Sequence, residues 1–241
     1  DEHNAHLITV VCRTDPALPP QESLAVIVVP GRTPGVSITG YLDTVGHRAA
    51  VSPVMEFKDV RVPAGNLLGR PGDGITICSR TFSWTAALIG AACVGVMRAA
   101  FDTALAFAKT DKRSGTVPVI DHQAVGYTLA DIKMRLESAR YLTWKACHYL
   151  QTTDGEGEEL AIMTKVHASE LCVQAVYDSM RLVGVDSYTD MFPLAGLMQD
   201  ALCFPLYDGG NLGVRRRQLQ RLFQRPGYDP MAAAEGRAQS I

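Results

Sequence analysis

Residues 75–110 read "ITICSRTFSWTAALIGAACVGVMRAAFDTALAFAKT", and this stretch decides the fold of the chain. Apolar side chains return in it every three or four positions, which is the period of one face of an α-helix. These positions include Leu88, Ala92, Val96, Ala99 and Leu105. Glycine and alanine are frequent in the stretch, and such small side chains let a neighbouring helix approach closely. We therefore predict a long helix that packs against other helices.

Further helical segments follow, and each is bounded by a residue that caps or breaks helices. The predicted segments cover residues 122–151, residues 158–182, a short stretch after Pro193, and residues 211–224. Asp121 is expected to cap the first, Gly184 to end the second and Pro226 to stop the last. Long helices joined by short loops predict an antiparallel four-helix bundle with a short C-terminal helix.

The residues before Gly74 predict β-structure instead. They form short runs rich in β-branched residues, separated by turns that contain Gly and Pro. The runs are HLITVVCRT (6–14), SLAVIVVP (23–30), GVSITGYLD (35–43) and AVSPVMEFKDVRVP (50–63). No crossover helix separates them, which excludes parallel βαβ units. We predict an α+β chain in which residues 1–74 are the back part of a β domain, a partial barrel or sandwich, and residues 75–241 form the helical bundle.

The composition limits the classes of partner. The 241 residues are 47% hydrophobic and carry a formal net charge of −2, so no charge excess attracts nucleic acid or an anionic membrane. No apolar run reaches the roughly 18 residues of a membrane span, and we expect no membrane partner. Six dispersed cysteines without a CxxC pair indicate reduced thiols and a cytoplasmic location. His3 and His6 lie in a strand-like terminus where their spacing does not converge, so we assign no metal.

Residues 207–218 read YDGGNLGVRRRQ and place a lone acid, Asp208, before two glycines and three arginines. The glycines leave room for a ligand to approach the backbone, and Asn211 is a good N-cap for the last helix. Arg215 lies seven residues after Asp208, where it could hold the carboxylate ionised. Spacing alone leaves two interpretations open. Asp208 supports the helix cap, which is the commoner case, or it is a general base that removes a proton from carbon.

Several stretches together resemble the acyl-CoA dehydrogenase flavoprotein superfamily, around a carboxylate that opens the last helix in a Y-[DE]-G motif. In order, they are VIVVPGRTPGV (26–36), MEFKDVRVPAGNLLGRPGDG (55–74), FAKTDKRSG (107–115), IDHQAV (120–125) and LVGVDSYTDMFPLAGLMQDA (182–201). The resemblance covers nearly the whole chain. It implies that FAD is held by a β module and a helical bundle rather than by a Rossmann fold. It also implies that an N-terminal α domain, present in the superfamily, is absent from this chain.

Within the superfamily, the chain is similar to nitroalkane oxidases. Acyl-CoA dehydrogenases usually have Glu as the base, whereas nitroalkane oxidases have Asp, a following GGN and an Arg seven residues on, as here. The resemblance implies that Asp208 is the base, that Arg215 is its ion-pair partner, and that Thr85 is a hydroxyl near it, where nitroalkane oxidases have Ser. Tyr207 and Gly209, on either side of the base, are expected to contact the substrate. A proton next to a nitro group is far more acidic than one next to a thioester, which suits a short, well-ionised Asp.

The resemblance also implies contacts with FAD. Arg113 and Gln123 match residues that contact the FAD of a neighbouring subunit. Without the resemblance, the sequence favours a solvated charge in a loop for Arg113 and a polar residue in the first turn of a helix for Gln123. Gly184 matches a turn that approaches the FAD pyrophosphate, with helix termination as the alternative. Asn211 lies in the turn that touches the adenosine part. Asp186 stands where many relatives have glycine, which weakens the expected anion contacts there.

The implied function is FAD-dependent oxidation of a small nitroalkane-like molecule, with proton removal by Asp208 and electron transfer to flavin and then oxygen. Three alternatives stay open: α,β-oxidation of an acyl thioester, flavin-dependent hydroxylation on the same scaffold, and a non-catalytic helical interaction module. The resemblance further implies a homotetramer. Because the chain enters a strand pattern almost at once, we expect its N-terminal portion to exist as a separate or cleaved chain beside it.

Overall fold

The structure is a computed structural model that describes residues 6–113 and 115–239 of the chain. His3 lies outside the described residues, so the structure does not test the expectation that His3 and His6 bind no metal. Within the described ranges, no three His, Cys, Asp or Glu side chains lie close enough together to hold a metal ion.

The chain divides into two compact units. The strand unit contains the described residues up to Thr44 together with Arg48–Thr81. The helical unit contains Val45–His47 and the described part of Phe82–Ile241. This division lies inside the first long helix, a few residues after the change in composition at Gly74.

Five short strands make up the described part of the strand unit. They are β1 (Leu7–Arg13), β2 (Leu24–Pro30), β3 (Val36–Tyr41), β4 (Pro53–Phe57) and β5 (Leu67–Leu68), with a helical turn α1 (Pro20–Ser23) and a 3-10 turn (Ala64–Asn66) between them. β2 lies between β1 and β5 in one antiparallel sheet, and β3 pairs with β4 in a second. Ala25, Val26 and Val29 of the central strand are buried. The α+β prediction is confirmed, and the described strands form no closed barrel.

Three long helices dominate the rest of the described chain: α2 (Gly74–Thr110), α3 (Gln123–Thr152) and α4 (Glu158–Val183). Shorter elements complete it, namely 3-10 turns at Val119–Asp121 and Val185–Tyr188, α5 (Leu194–Cys203), a π-helical turn (Asn211–Arg215), α6 (Arg216–Phe223) and α7 (Ala232–Glu235). Gly184 ends α4 as predicted, because its φ of +83° lies in a region that glycine enters easily. The periodic stretches of the sequence are therefore helices, with ends within a few residues of the prediction.

The apolar core of the helical unit lies between α2, α3 and α4. Its buried residues include Met97, Ala100, Ala104, Ile132, Leu136, Ala139, Cys172, Ala175 and Val176. Gly90 shows how closely the helices approach, since a Cβ there would lie 2.2 Å from Thr164 Cγ2 on α4 and 2.8 Å from Thr143 Oγ1 on α3. The small residues of α2 thus permit the close helix packing that the sequence predicts.

Two predicted helix caps are wrong. Asp121 does not cap α3, because it closes the preceding 3-10 turn, and His122 takes the N-cap position with an extended backbone. Asn211 does not cap the last helix either. Gly210 takes that position, and the helix opens with a π-helical turn. In both places the chain reaches the helix through a different local turn from the one that the capping residue predicts.

The expectation of no membrane partner stays a prediction. Among the described residues, α2 is long and apolar enough to cross a membrane by length and composition alone, because its average hydropathy tolerates isolated polar residues. A core helix of a globular protein passes the same test, so the finding is weak evidence for a span.

Candidate active site

The loop between α5 and the π-helical turn carries Asp208. The backbone of Asp208 lies in the left-handed region, with φ +52°, which residues other than glycine rarely adopt. Gly209 follows with φ +71°, and a Cβ on it would lie 3.1 Å from both Arg215 Nε and Val214 Cγ1. Glycine at this position therefore lets the Arg215 side chain lie directly against the backbone beside Asp208.

Arg215 is buried under this loop, with 1% of its surface exposed. Its Nη2 donates to Asp208 Oδ2 at 2.7 Å, and its Nε donates to the backbone oxygen of Asp208 at 2.8 Å. Nη2 also donates to Phe82 O of α2 at 3.0 Å, and Nη1 to Gln218 Oε1 at 3.2 Å. One planar guanidinium thus binds the carboxylate, the peptide that carries it, and the neighbouring helix.

Thr85 of α2 completes the surroundings of the carboxylate. Its Oγ1 donates to Asp208 Oδ1 at 2.8 Å and also lies 3.3 Å from Phe82 O, one turn earlier. A hydroxyl carries one proton, so it donates fully to only one of these two acceptors at a time. Each carboxylate oxygen of Asp208 therefore has its own donor, Thr85 on Oδ1 and Arg215 on Oδ2.

The Asp208 carboxylate is nearly enclosed, with 7% of its side chain exposed. A guanidinium at 2.7 Å favours the charged carboxylate, and low exposure to water strengthens the attraction. Arg216, the next arginine, instead pairs with Glu170 at 3.4 Å. The site thus holds a nearly enclosed carboxylate with one hydrogen-bond donor on each oxygen, and a carboxylate can accept a proton from a bound molecule.

Tyr207, the residue before Asp208, packs against a ring from another part of the chain. Its ring lies edge-on to that of His47, with centroids 5.5 Å apart, and His47 packs in the same way against Phe204 at 4.7 Å. Burial first, and then neighbouring groups that include Cys93 and Asp208, raises the pKa of Tyr207 to about 12, so its hydroxyl stays protonated at neutral pH. His47 Nε2 is buried and has no hydrogen-bond partner among the described residues. No sequence pattern marks His47 as part of this cluster.

The side chain of Asn211 turns into the helical unit, where 2% of the residue is exposed. Its Oδ1 accepts a hydrogen bond from Lys165 Nζ at 2.7 Å, and its Nδ2 donates to Ser169 Oγ at 2.9 Å and Glu170 Oε1 at 3.0 Å. These partners on α4, of which Lys165 and Ser169 are buried, explain why Asn211 is not a helix cap, since they compete for the same side-chain atoms. Its predicted contact with the adenosine part of FAD stays a prediction.

Arg113 and Gly184, both expected near FAD, are joined through Asp186. The Arg113 guanidinium donates to Asp111 Oδ1 at 3.0 Å and to Asp186 Oδ2 at 2.9 Å, and 45% of the Arg113 side chain is exposed. Asp186 belongs to the 3-10 turn that follows Gly184. Apart from Gly184 itself and its two neighbours in the chain, no heavy atom of the described residues lies within 4 Å of the position that a Cβ on Gly184 would take. The backbone of this turn is therefore open to close approach by a ligand.

Gln123, the remaining residue expected near FAD, is the first residue of α3 and donates to Tyr127 OH one turn later. No hydrogen bond between described residues links it to Asp208, Arg215 or Thr85. The structure therefore brings the three expected catalytic residues into direct contact and leaves Gln123 outside that cluster.

Two further contributors to the site were not anticipated. One is the Phe82 carbonyl, a backbone group that any residue would supply and that the sequence cannot mark. The other is Lys165, which is buried and bonded to the turn after Asp208. A signal for Lys165 was present, because it lies at helical spacing within an otherwise apolar or small-residue face that includes Ala161, Ala168 and Cys172.

Comparison with known proteins gives consistent similarities. The family description "Acyl-CoA dehydrogenase, C-terminal domain" matches residues 72–223. The chain is 37% identical over 254 residues to nitroalkane oxidase of Fusarium oxysporum and 41% identical over 199 residues to nitroalkane oxidase of Podospora anserina. It is also similar, with a TM-score of 0.89 and 36% identity, to the solved structure of an Asp-to-Asn active-site variant of nitroalkane oxidase crystallised with 1-nitrooctane.

The alignments cover unequal shares of the proteins compared. They include 98% and 81% of this chain for the two curated relatives, but 58% and 46% of the relatives themselves. The structural match covers 96% of this chain and 58% of the other. The chain thus spans about half the length of the relatives that it matches.

Proposed function

Because this chain belongs to the acyl-CoA dehydrogenase family, we propose that it is part of a flavin-dependent oxidoreductase that oxidises a nitroalkane after removing a proton from carbon. The observation that carries this proposal is the enclosed Asp208 carboxylate, bound by Arg215 at 2.7 Å and by Thr85 at 2.8 Å. The similarity to two nitroalkane oxidases supports the choice of substrate class.

The identity of the base favours a nitroalkane over an acyl thioester. A nitro group acidifies the adjacent carbon far more than a thioester does, so a weaker base is sufficient to remove the proton. The Asp208 carboxylate accepts hydrogen bonds from both Arg215 and Thr85, and its side chain is one methylene shorter than the Glu usual in acyl-CoA dehydrogenases. We propose that a base of this kind is matched to the acidic carbon of a nitroalkane rather than to a thioester.

The hydrogen bonds indicate which oxygen of Asp208 receives the proton. Oδ2 faces the Arg215 guanidinium, which has no acceptor, whereas Oδ1 faces Thr85 Oγ1, which can accept. We place the proton on Oδ1. The Thr85 hydroxyl then turns its own proton to Phe82 O, 3.3 Å away, and accepts a hydrogen bond from the protonated Oδ1. Thr85 thereby stabilises Asp208 both before and after proton transfer.

FAD, when bound, supplies the acceptor for two electrons. The residues expected to hold it fit a dinucleotide in two respects: Arg113 presents a half-exposed cation, and the Gly184 turn is open where a Cβ would otherwise lie. We propose that these two residues bind the pyrophosphate, with Gln123 and Asn211 at the other contacts that the resemblance implies. Arg113 already pairs with Asp186, so we expect this ion pair to loosen when a phosphate binds.

The remaining proposals concern partners and location. We propose that the enzyme is a homotetramer in the cytoplasm. The family resemblance supports the tetramer, and six dispersed cysteines without a CxxC pair support the location. Native mass spectrometry of the protein purified from its source tests the tetramer, since it reports the mass of the assembly.

The experiment that tests the function is anaerobic reduction of the bound flavin in the full-length protein. We expect nitroethane to bleach the flavin absorbance of the wild type and a short acyl-CoA to leave it unchanged. The variant Asp208→Asn keeps the shape of the side chain and removes its basicity, so nitroethane should bleach it orders of magnitude more slowly. Stable binding of FAD in both proteins is the control for folding.

Different outcomes would contradict different parts of the proposal. Bleaching by the acyl-CoA alone would replace it by α,β-oxidation of a thioester. Equally fast bleaching by nitroethane in Asp208→Asn would remove the base assigned here. A purified full-length protein without flavin would favour the non-catalytic interaction module.

A further inference from the structure

Lys165 is a buried cation next to the candidate active site. It lies in the middle of α4 and is 0% exposed. Its ammonium donates to Asn211 Oδ1 at 2.7 Å, and no carboxylate of the described residues forms an ion pair with it. A buried ammonium without an ion-pair partner is unfavourable, and such groups concentrate at functional sites.

Four ionisable groups act on Lys165, from three directions. Arg215 and Asp208 act from the loop and turn after α5, Cys93 acts from α2, and Glu170 acts from α4 itself. Burial, and next the Arg215 guanidinium, lowers the pKa of Lys165 to about 8, while the other three groups oppose this change. Lys165 is therefore mostly charged at neutral pH. Because attraction between charges is mutual, the cation that Asp208 stabilises also stabilises the Asp208 carboxylate.

The hydrogen bond of Lys165 also fixes the turn that supplies Arg215. Asn211, its acceptor, is the first residue of the π-helical turn, and Arg215 is the last. Ser169 and Glu170 hold the amide nitrogen of the same Asn211 side chain. The start of the turn is thereby tied to α4, while its end is tied to Asp208.

We propose that Lys165 is a positioning residue for the general base: it anchors the turn that carries Arg215, and its charge is coupled to the Asp208 carboxylate. The term base rests on the proposed function. The charge coupling between Lys165 and Asp208 does not, and it can be measured without substrate.

The first test is a double-mutant cycle by urea denaturation of the full-length protein at pH 7, with Lys165→Met and Asp208→Asn singly and together. Lys165→Met should shift the unfolding equilibrium towards the unfolded state about tenfold more when Asp208 is present than when it is Asn. Ser169→Ala removes a hydrogen bond to Asn211 without changing any charge, so its effect should be the same in both backgrounds. Additive effects of Lys165→Met and Asp208→Asn would overturn the proposal.

The second test is the rate of anaerobic flavin reduction by nitroethane at pH 7. Lys165→Met should slow this reduction about tenfold more than Ser169→Ala does, because both variants lose a hydrogen bond to Asn211 and only Lys165→Met also loses a charge that interacts with Asp208. Equal rates in the two variants would overturn the electrostatic role.

The two tests separate the failure of this inference from that of the proposed function. If nitroethane does not reduce the flavin and the cycle still shows coupling, the nitroalkane proposal fails and the support of Asp208 by Lys165 stands. If nitroethane reduces the flavin through Asp208 and the cycle is additive, the function stands and the role of Lys165 fails.

Discussion

Gly209 is the position where one added methyl group disturbs the site most directly. The substitution Gly209→Ala places a Cβ 3.1 Å from both Arg215 Nε and Val214 Cγ1, on a backbone with φ +71°. Arg215 Nε is the atom that donates to the backbone oxygen of Asp208 at 2.8 Å. The new methyl group therefore contacts the guanidinium at the nitrogen that forms the hydrogen bond to the loop.

Two effects set the expected size of the change. A left-handed backbone costs an L-residue about 1 to 2 kcal/mol. Relieving the two close contacts adds about 1 kcal/mol, the lower end for overpacking, because only one methyl group is added. We expect a loss of stability of about 2 to 3 kcal/mol. Weakening one charged hydrogen bond of Arg215 should also slow proton removal about tenfold to a hundredfold.

The control lies on the same turn. No heavy atom of the described chain lies within 4 Å of a Cβ placed on Gly213, so Gly213→Ala should be neutral or stabilise the protein by up to about 1 kcal/mol. Urea denaturation and anaerobic flavin reduction by nitroethane, measured on both variants, give the comparison. If Gly209→Ala is as stable and as active as Gly213→Ala, the close packing of Arg215 against this loop is not what holds the base.

Three further predictions concern the helices around the site. Gly90→Ala should destabilise the protein by about 1 to 3 kcal/mol in urea denaturation, because its Cβ would lie 2.2 Å from Thr164 on α4. Gly95→Ala is the control and should stabilise the protein slightly. Apart from the nearby backbone of its own helix, no described atom lies within 4 Å of the position of its Cβ. Folding lowers the pKa of Lys165 from 10.5 to about 8, so between these two pH values the unfolded chain binds one more proton than the folded chain. The free energy of unfolding should therefore rise with pH across this window, by about 3 kcal/mol at most. Urea denaturation at increasing pH should show this rise in the wild type and not in Lys165→Met. Thr85→Val removes the hydroxyl at nearly constant volume and should lower the rate of flavin reduction by nitroethane about tenfold. Thr85→Ser keeps the hydroxyl and should stay within about threefold of the wild-type rate. Equal rates in the two variants would show that the hydroxyl is not used.

Much of the fold follows from local sequence patterns. The helices α2, α3 and α4 are predicted because their apolar residues repeat at the helical period, and a repeat of this kind is complete within each segment. The antiparallel strands follow from short β-branched runs without crossover helices. The wrong predictions are at helix caps, as at Asn211, where buried partners on another helix take the side chain that local rules assign to the cap.

The site is less accessible to sequence reasoning because its contacts are distant in the chain. The seven-residue spacing of Asp208 and Arg215 suggests an ion pair, but a cap is the commoner reading of the same residues. Thr85 bonds Asp208 across 123 positions, and only the family resemblance links the two. Lys165 was missed because a lysine in a helix is normally solvated, and its burial depends on how three elements pack around it.

We propose that Asp208 removes a proton from the substrate carbon. The most direct measurement compares neutral nitroethane with its pre-formed anion, which has already lost that proton, in anaerobic flavin reduction by the wild type and Asp208→Asn. We predict that Asp208→Asn is reduced very slowly by neutral nitroethane and at close to the wild-type rate by the anion. Equally slow reduction by both forms would show that Asp208 serves another step, and normal reduction by the neutral form would show that the protein does not need it as a base.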